Sequence, residues 1–205
     1  MTPKERMMTA LRREKPDRLP VTIYQWQQYH LDTYMNGMDA LAAFRATGMD
    51  AAIQYFEAMG QFWIPNAEKY ALQTPQWRDE MTVVDPNPDN KVVHHHIVTP
   101  EGELNYKTGA NRTTTWITEY LVKRHEDVEL IEKYMPIARL DHKAIEREHD
   151  RIGDAGILRG FVWGDQAGCW QHACCLMEVQ SRIIETFENP EWVHRLLNAL
   201  LDKEL

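Results

Sequence analysis

The chain has 205 residues, of which 43% are hydrophobic and 10% aromatic, enough to bury the core of one domain. Its 23 basic and 31 acidic residues give a net charge of −8 spread along the chain, which argues against nucleic acid or an anionic membrane as the partner. No apolar run approaches the roughly 18–20 residues that span a bilayer, and the charged N-terminus lacks the apolar centre of a signal peptide. Cys169, Cys174 and Cys175 form no disulfide framework. We therefore expect a soluble protein of a reducing compartment, the cytoplasm.

The first third of the chain predicts alternating helices and strands. Thr2-Pro3-Lys4-Glu5 is typical of a helix start, with Thr as N-cap, Pro in the first turn and Glu three residues after the cap. A short buried strand is predicted at Pro20–Tyr24, and a helix over residues 38–47 that Gly48 closes. The apolar run from Met49 to Phe56 does not alternate, which favours a strand of a parallel sheet that is buried on both faces.

The middle of the chain is rich in β-forming residues and predicts a small antiparallel sheet. Thr99-Pro100-Glu101-Gly102 has Pro and Gly where a type I turn prefers them. The strands are predicted near residues 81–84, 92–98, 103–107 and 113–122. We interpret residues 76–123 as a β-rich insertion.

The last third returns to helices and one more apolar strand. Helices are predicted over residues 126–135 and 141–152, and a strand from Gly156 to Trp163. Leu176, Val179, Ile183 and Phe187 predict an amphipathic helix, and Asn189-Pro190 begins the last one. This order is typical of an α/β protein with parallel core strands. A closed (β/α)8 TIM barrel takes about 250 residues, so we expect the N-terminal part, about half to two-thirds, of one barrel domain.

Several segments, in order, resemble the uroporphyrinogen decarboxylase family. They are MTPKERMMTALRREKPDRLPV, MDAAIQYFEAM, the TPEGE turn followed by TEYLVKRHEDVELIEKY, and ETFENPEWVHRLLNALLD. The resemblance implies a (β/α)8 barrel. It also implies one of two activities, since the family includes the decarboxylases of haem synthesis and methyltransferases that move methyl groups between a corrinoid and a thiol or related acceptor.

One departure from the family decides between those activities. The decarboxylases follow their first strand with Arg-Gln-Ala-Gly-Arg, whose arginines pair with the acidic side chains of the tetrapyrrole. This chain has neutral Gln25 and Tyr29 in place of the two arginines. Amide and phenol groups do not replace a charge-assisted, bidentate guanidinium–carboxylate pair. The resemblance therefore favours the methyltransferase-like branch, with Gln25, Trp26, Gln28, Tyr29 and His30 lining the ligand site; ordinary packing is the alternative for these residues.

Two carboxylates and one histidine complete the expected site. Glu57 replaces an Asp that in the decarboxylases faces the pyrrole nitrogens, so the resemblance implies hydrogen bonding or proton transfer there. Asp165 follows another strand and is expected either to bind the ligand or to cap a helix, and we include His172 among the ligand-binding residues. The zinc ligands of the family's methyltransferases, a His-x-Cys pair and a later Cys, have no counterpart in this chain. Zinc and a corrinoid are therefore expectations for a longer parent protein only.

Two histidine-containing segments suggest metal sites but have simpler interpretations. His172 stands three residues from both Cys169 and Cys175, a helical spacing that would serve a soft metal; buried structural cysteines are the alternative we favour. In His94-His95-His96 the middle ring of a strand points away from its neighbours, so a solvated hairpin is favoured over a metal site.

Two other functions remain open at this stage. A tetrapyrrole decarboxylase would need a compensating arginine, for which Arg112 and Arg159 are candidates. A non-catalytic binding module is the third alternative, because an incomplete barrel has open sheet edges. Pairing with another chain, a corrinoid protein or a second copy in a homo-oligomer, would cover those edges.

Overall fold

The protein is a mixed α/β protein with one parallel and one antiparallel sheet among its described strands. The structure is a computed structural model and describes residues 1–54, 73–137, 141–160 and 168–204. The helices of these ranges are α1 Pro3–Leu11, α2 Gln28–Tyr34, α3 Ala40–Thr47, α4 Asp127–Tyr134, α5 His142–Ile152, α6 Cys169–Leu176, α7 Val179–Glu188 and α8 Pro190–Glu204. The strands are β1 Ala51–Gln54, β2 Arg78–Asp85, β3 Lys91–Thr99, β4 Gly102–Ala110, β5 Thr115–Glu119 and β6 Gly156–Arg159.

The described residues divide into two compact units. Residues 1–54 and 141–160 form what we call the parallel unit, and residues 73–137 and 168–204 form the antiparallel unit. The strands of these ranges form no closed barrel. No helix within them is both long and apolar enough to cross a membrane.

The parallel unit is built on β1 and β6. The two strands pair in parallel, with Ala51 opposite Gly156 and Gln54 opposite Arg159. This confirms the parallel pairing expected from the non-alternating apolar runs. The core around the pair is formed by Leu41, Phe44, Ala51, Ile53 and Ile152.

Local signals set the helix ends of the parallel unit. Thr2 and Glu5 form the predicted capping box on α1, and Gly48 ends α3 in the left-handed conformation at φ 71°. Asp141 caps α5 through the amide of Ala144 at 3.0 Å. Each of these signals spans at most four residues, and each was correctly predicted.

The buried strand predicted at Pro20–Tyr24 is wrong. These residues belong to no strand, and Val21 and Tyr24 are each 53% exposed. Pro20 has no N–H to give to a sheet, and the N–H of Val21 binds the carboxylate of Asp50 at 2.9 Å instead of a backbone carbonyl. The carbonyl of Val21 accepts one bond from the amide of Asp50, and no ladder continues from there.

The antiparallel unit contains the sheet predicted for the middle of the chain. Its strand order is β2-β3-β4-β5, and the Thr99–Gly102 turn connects β3 to β4. Thr99 Oγ1 accepts from the amide of Gly102 at 3.1 Å, which closes this turn. Apolar residues from the sheet and from α4 and α8 form the core, among them Trp77, Ile97, Leu104, Ile131 and Leu196.

The helix predicted from Leu176, Val179, Ile183 and Phe187 is confirmed over Val179–Glu188 and is wrong at Leu176, which ends the preceding helix. Helix α6 ends before Met177, because the carbonyl of Leu176 accepts from the amide of Val122 at 2.8 Å and not from a following turn of helix. Glu178 then caps α7 through the amide of Ser181. Leu176 is buried, whereas Phe187 is 82% exposed, so the four residues do not share a buried face.

Candidate functional site

Polar side chains gather at the carboxyl ends of β1 and β6. Gln54 and Arg159 are the last paired residues of the two strands. Arg159 Nη2 donates to Gln54 Oε1 at 3.2 Å and also to the carbonyl of Tyr24. The guanidinium lies over the Tyr24 ring, 4.7 Å from its centroid. We call Tyr24, Gln25, Trp26, Gln54 and Arg159 the strand-end cluster.

Three polar atoms of this cluster are buried without a hydrogen-bond partner within the described ranges. They are Gln25 Oε1, Trp26 Nε1 and Arg159 Nε. Trp26 is fixed by an edge-on contact with Phe44, at 6.0 Å between ring centroids. Buried polar atoms in native proteins are nearly always paired, so two N–H donors and one carbonyl acceptor in this condition indicate a place for a ligand or for ordered water.

The other predicted residues of this segment, Gln28, Tyr29 and His30, lie on α2. Gln28 Nε2 donates to Asp32 at 2.8 Å. The Tyr29 ring lies edge-on to those of His30 and Tyr34, and the His30 and Tyr34 rings stack at 6.1 Å. Glu57, the predicted catalytic residue, and Asp165 lie outside the described residues.

A guanidinium lies at this edge although Gln25 and Tyr29, the residues at which the resemblance would place arginines, are neutral. The sequence suggested Arg159 only for the decarboxylase alternative. Arg159 reaches the edge from β6, and Gln54, which was not predicted, from β1. The sequence contains no signal for this, since Gln54 lies inside the apolar run Met49–Phe56 and Arg159 inside the predicted strand Gly156–Trp163. Arg112 lies elsewhere, between β4 and β5, paired with Asp89 at 2.9 Å.

The cysteine segment has the character of a structural helix. His172 is buried on α6, and Cys169, Cys174 and Cys175 are half-buried. Burial raises the pKa of the Cys175 thiol to about 11, with a smaller contribution from Cys174, so this thiol is protonated at neutral pH. No group of three metal-ligating side chains occurs within the described ranges.

The histidine run instead contributes to a buried polar network. The side chain of His95 is buried inside the sheet while those of His94 and His96 are half-buried, which fits the predicted alternation. His95 Nδ1 lies 2.9 Å from Asp79 Oδ2, and its Nε2 lies 3.2 Å from Thr108 Oγ1. The His95 ring stacks on that of Tyr106 at 4.1 Å. The network ties three neighbouring strands together.

Tyr106 shows how strongly this network is shielded from water. Its hydroxyl donates to Asp79 Oδ2 at 3.3 Å. Burial, and then the Asp79 carboxylate, raise the pKa of Tyr106 well above its usual range. Asp79 and Tyr106 were not predicted, because single polar residues in strands give no pattern that shows which of them will be buried together.

Fold and site together define a mixed α/β protein with a polar cluster at the carboxyl edge of its parallel strands. No protein-family model, curated protein or solved structure matches this chain.

Proposed function

We propose that this chain belongs to the methyltransferase-like branch of the uroporphyrinogen decarboxylase family and that its parallel strands are part of a (β/α)8 barrel. The ligand would be a corrinoid or a small methylated substrate. The order of helices and strands supports this proposal, as does the parallel pairing of β1 with β6. In parallel α/β folds, ligands bind at the carboxyl ends of the strands, which is where the strand-end cluster lies.

The charge of the strand-end cluster is the reason for proposing the methyltransferase-like branch and not the decarboxylases. It contains one guanidinium, and the neighbouring side chains Tyr24, Gln25, Trp26 and Gln54 are uncharged. One Arg159 nitrogen is already bonded to Tyr24 and Gln54. A tetrapyrrole with many carboxylates needs several cations, whereas a ligand with few charges and amide or carbonyl groups suits this composition.

In this proposal each residue has a defined task. Gln25 and Gln54 bind polar groups of the ligand and are suited to the amide side chains of a corrinoid, while Trp26 gives the pocket an apolar wall. Gln28, Tyr29 and His30 contribute further contacts, and Glu57 moves a proton or accepts a hydrogen bond. A bound corrinoid would supply the methyl-carrying cobalt. The described residues do not fit a zinc ion, so we derive no step through zinc.

The position of Arg159 favours a second candidate, a tetrapyrrole decarboxylase. Its guanidinium lies at the strand ends, where a compensating arginine would be needed. Under this alternative Arg159 would hold one acidic arm of the substrate, and the other arms would need cations from outside the strand-end cluster.

A spectral titration separates the two candidates. We expect methylcobalamin to change its absorption spectrum saturably on addition of the protein. Gln25→Ala and Gln54→Ala should each weaken binding roughly threefold to tenfold, because one hydrogen bond contributes about 0.5–1.5 kcal/mol. Gln180→Ala, an exposed amide on α7, is the control and should bind as the unchanged chain does.

The decarboxylase candidate is tested by incubation with uroporphyrinogen and measurement of released CO2. Decarboxylation together with a flat methylcobalamin titration would overturn the methyltransferase assignment. If both ligands fail to bind, the chain is better described as a non-catalytic binding module.

A further inference from the structure

Arg159 differs from the ion-paired arginines of this chain in having neutral partners, a feature it shares with Arg182, which lies in the antiparallel unit and donates to the carbonyl of Trp170 at 3.3 Å. Arg6 and Arg18 bind Asp50, Arg151 binds Glu148, and Arg195 binds Glu132. Arg159 binds a backbone carbonyl and an amide oxygen, and it forms no ion pair with a carboxylate of the described ranges. The structure therefore holds a guanidinium in a fixed orientation with its charge uncompensated by those residues.

The hydrogen bond that this guanidinium lacks indicates which ligand group would pair with it. Arg159 Nε is buried and meets no acceptor among the residues that the structure describes. A buried charged donor is costly unless an acceptor meets it, and a carboxylate is the group whose two oxygens match the guanidinium fork. The Tyr24 ring covers one face of the guanidinium, whose central carbon lies 4.7 Å from the ring centroid. The side chain is thus oriented before any ligand arrives.

We propose that Arg159 is the residue that recognises the ligand's charge, and that this ligand is a small methylated acid with a single carboxylate. The inference rests on the proposed function and narrows it, because it selects the small methylated substrate over the corrinoid as the occupant of this cluster. The carboxylate accepts from Arg159 Nε. The buried Trp26 Nε1 offers a second donor to the ligand, and the buried Gln25 Oε1 accepts from a ligand N–H or O–H.

The charge count limits the ligand to one carboxylate. The five residues of the strand-end cluster include one positive charge, that of Arg159, and no carboxylate; Glu57, proposed for the same site, would add a negative charge and no cation. A second carboxylate placed beside Gln25 or Gln54 would lose its water without gaining a cation, which disfavours di- and polyacids. Arg159 is accordingly a specificity-determining residue.

The test compares three related probes on the full chain by ligand-observed nuclear magnetic resonance. They are methoxyacetate with one carboxylate, its neutral methyl ester, and methylsuccinate with two carboxylates. We expect methoxyacetate to bind at least tenfold more tightly than either of the others. Arg159→Gln should remove that preference, and Arg159→Lys, which keeps the charge and loses the fork, should retain part of it.

Arg112→Gln is the matched control, since that exposed arginine lies between β4 and β5 and pairs with Asp89. It should leave the preference for methoxyacetate unchanged. Equal binding of acid and ester to the unchanged chain would overturn the inference even if Arg159→Gln failed to fold. Tighter binding of the diacid, or an undiminished preference in a folded Arg159→Gln variant, would overturn it as well.

The two proposals fail separately. A flat methylcobalamin titration together with Arg159-dependent binding of methoxyacetate removes the corrinoid from the proposed function and keeps the carboxylate site. A positive methylcobalamin titration with no preference for methoxyacetate keeps the corrinoid in the proposed function and removes the carboxylate site.

Discussion

Asp50 is a fully buried carboxylate directly before β1, and it is shared by two arginines and one backbone amide. Its Oδ1 accepts from Arg6 at 2.5 Å, and its Oδ2 accepts from Arg18 at 3.0 Å and from the amide of Val21 at 2.9 Å. Arg6 also binds Asp17, and this interaction lowers the pKa of Asp17 below its usual range. The network fastens α1 and the segment that follows it to the beginning of the parallel sheet.

Asp50→Asn should therefore strongly destabilise the protein. The substitution keeps the shape and removes the charge, so that the buried guanidinium of Arg6 loses one of its two carboxylates and meets an amide donor in place of an acceptor. Breaking a buried ion pair from one side costs about 3–5 kcal/mol, and we expect a loss of about 3 kcal/mol in the free energy of unfolding. Urea denaturation followed by circular dichroism measures it.

Asp150→Asn is the matched control, because that carboxylate is exposed on α5 and lies 3.4 Å from Nδ1 of the exposed His149. Its effect should stay within about 0.5 kcal/mol. A loss below about 1 kcal/mol for Asp50→Asn would mean that the Asp50 network adds little to the stability of the fold.

The candidate site was only partly predictable at this scale. Gln25 and Trp26 were found because they follow an apolar segment in sequence, which is local information. Gln54 and Arg159 become neighbours only through the parallel register of two strands about one hundred residues apart, and one chain read alone does not give that register. The partners of a buried polar residue such as Asp79 are hidden for the same reason.

At the scale of elements, the predictions succeeded where the cause is local and failed where it is tertiary. The capping box of α1 and the Gly48 end of α3 depend on three or four adjacent residues. The strand predicted at Pro20–Tyr24 fails because Asp50, distant in sequence, takes the amide of Val21. The break between α6 and α7 follows from a bond to Val122, which no helical pattern contains.

At Gly156, β6 lies so close to the backbone of β1 that no side chain fits between them. A Cβ placed there would lie 1.9 Å from the carbonyl oxygen of Ala51 and 2.5 Å from its carbonyl carbon. Both atoms belong to the backbone of β1, so no side-chain rotation can relieve the contact. Glycine at this position is therefore a condition for the parallel pairing on which the strand-end cluster is built.

Gly156→Ala should separate the two strands and cost about 3 kcal/mol, at the upper end of ordinary overpacking, because backbone must move. Gly160→Ala is the control one residue beyond β6, where a Cβ meets nothing within 4 Å, and it should change stability by less than about 0.5 kcal/mol. Thermal unfolding of both variants measures the difference. Equal midpoints would show that β1 and β6 are not paired in this register.

At the scale of the whole molecule, the described residues contain two separate hydrophobic cores. One surrounds β1 and β6 and includes Phe44; the other lies between the antiparallel sheet and its helices and includes Ile97. Both side chains are almost completely buried, at 1% and 0% exposure. Cores that share no residues are expected to open as distinct cooperative units.

Reciprocal substitutions test this division. Phe44→Ala removes a core aromatic ring at a cost of about 3–5 kcal/mol, and Ile97→Ala removes a core aliphatic chain at about 2–5 kcal/mol. Hydrogen–deuterium exchange should show faster exchange at the amides of β1 and β6 after the first substitution, with β3 and β4 still protected. The second substitution should give the opposite pattern. Loss of protection in both sheets after either change would mean that the two cores unfold as one, since each variant serves as the control for the other.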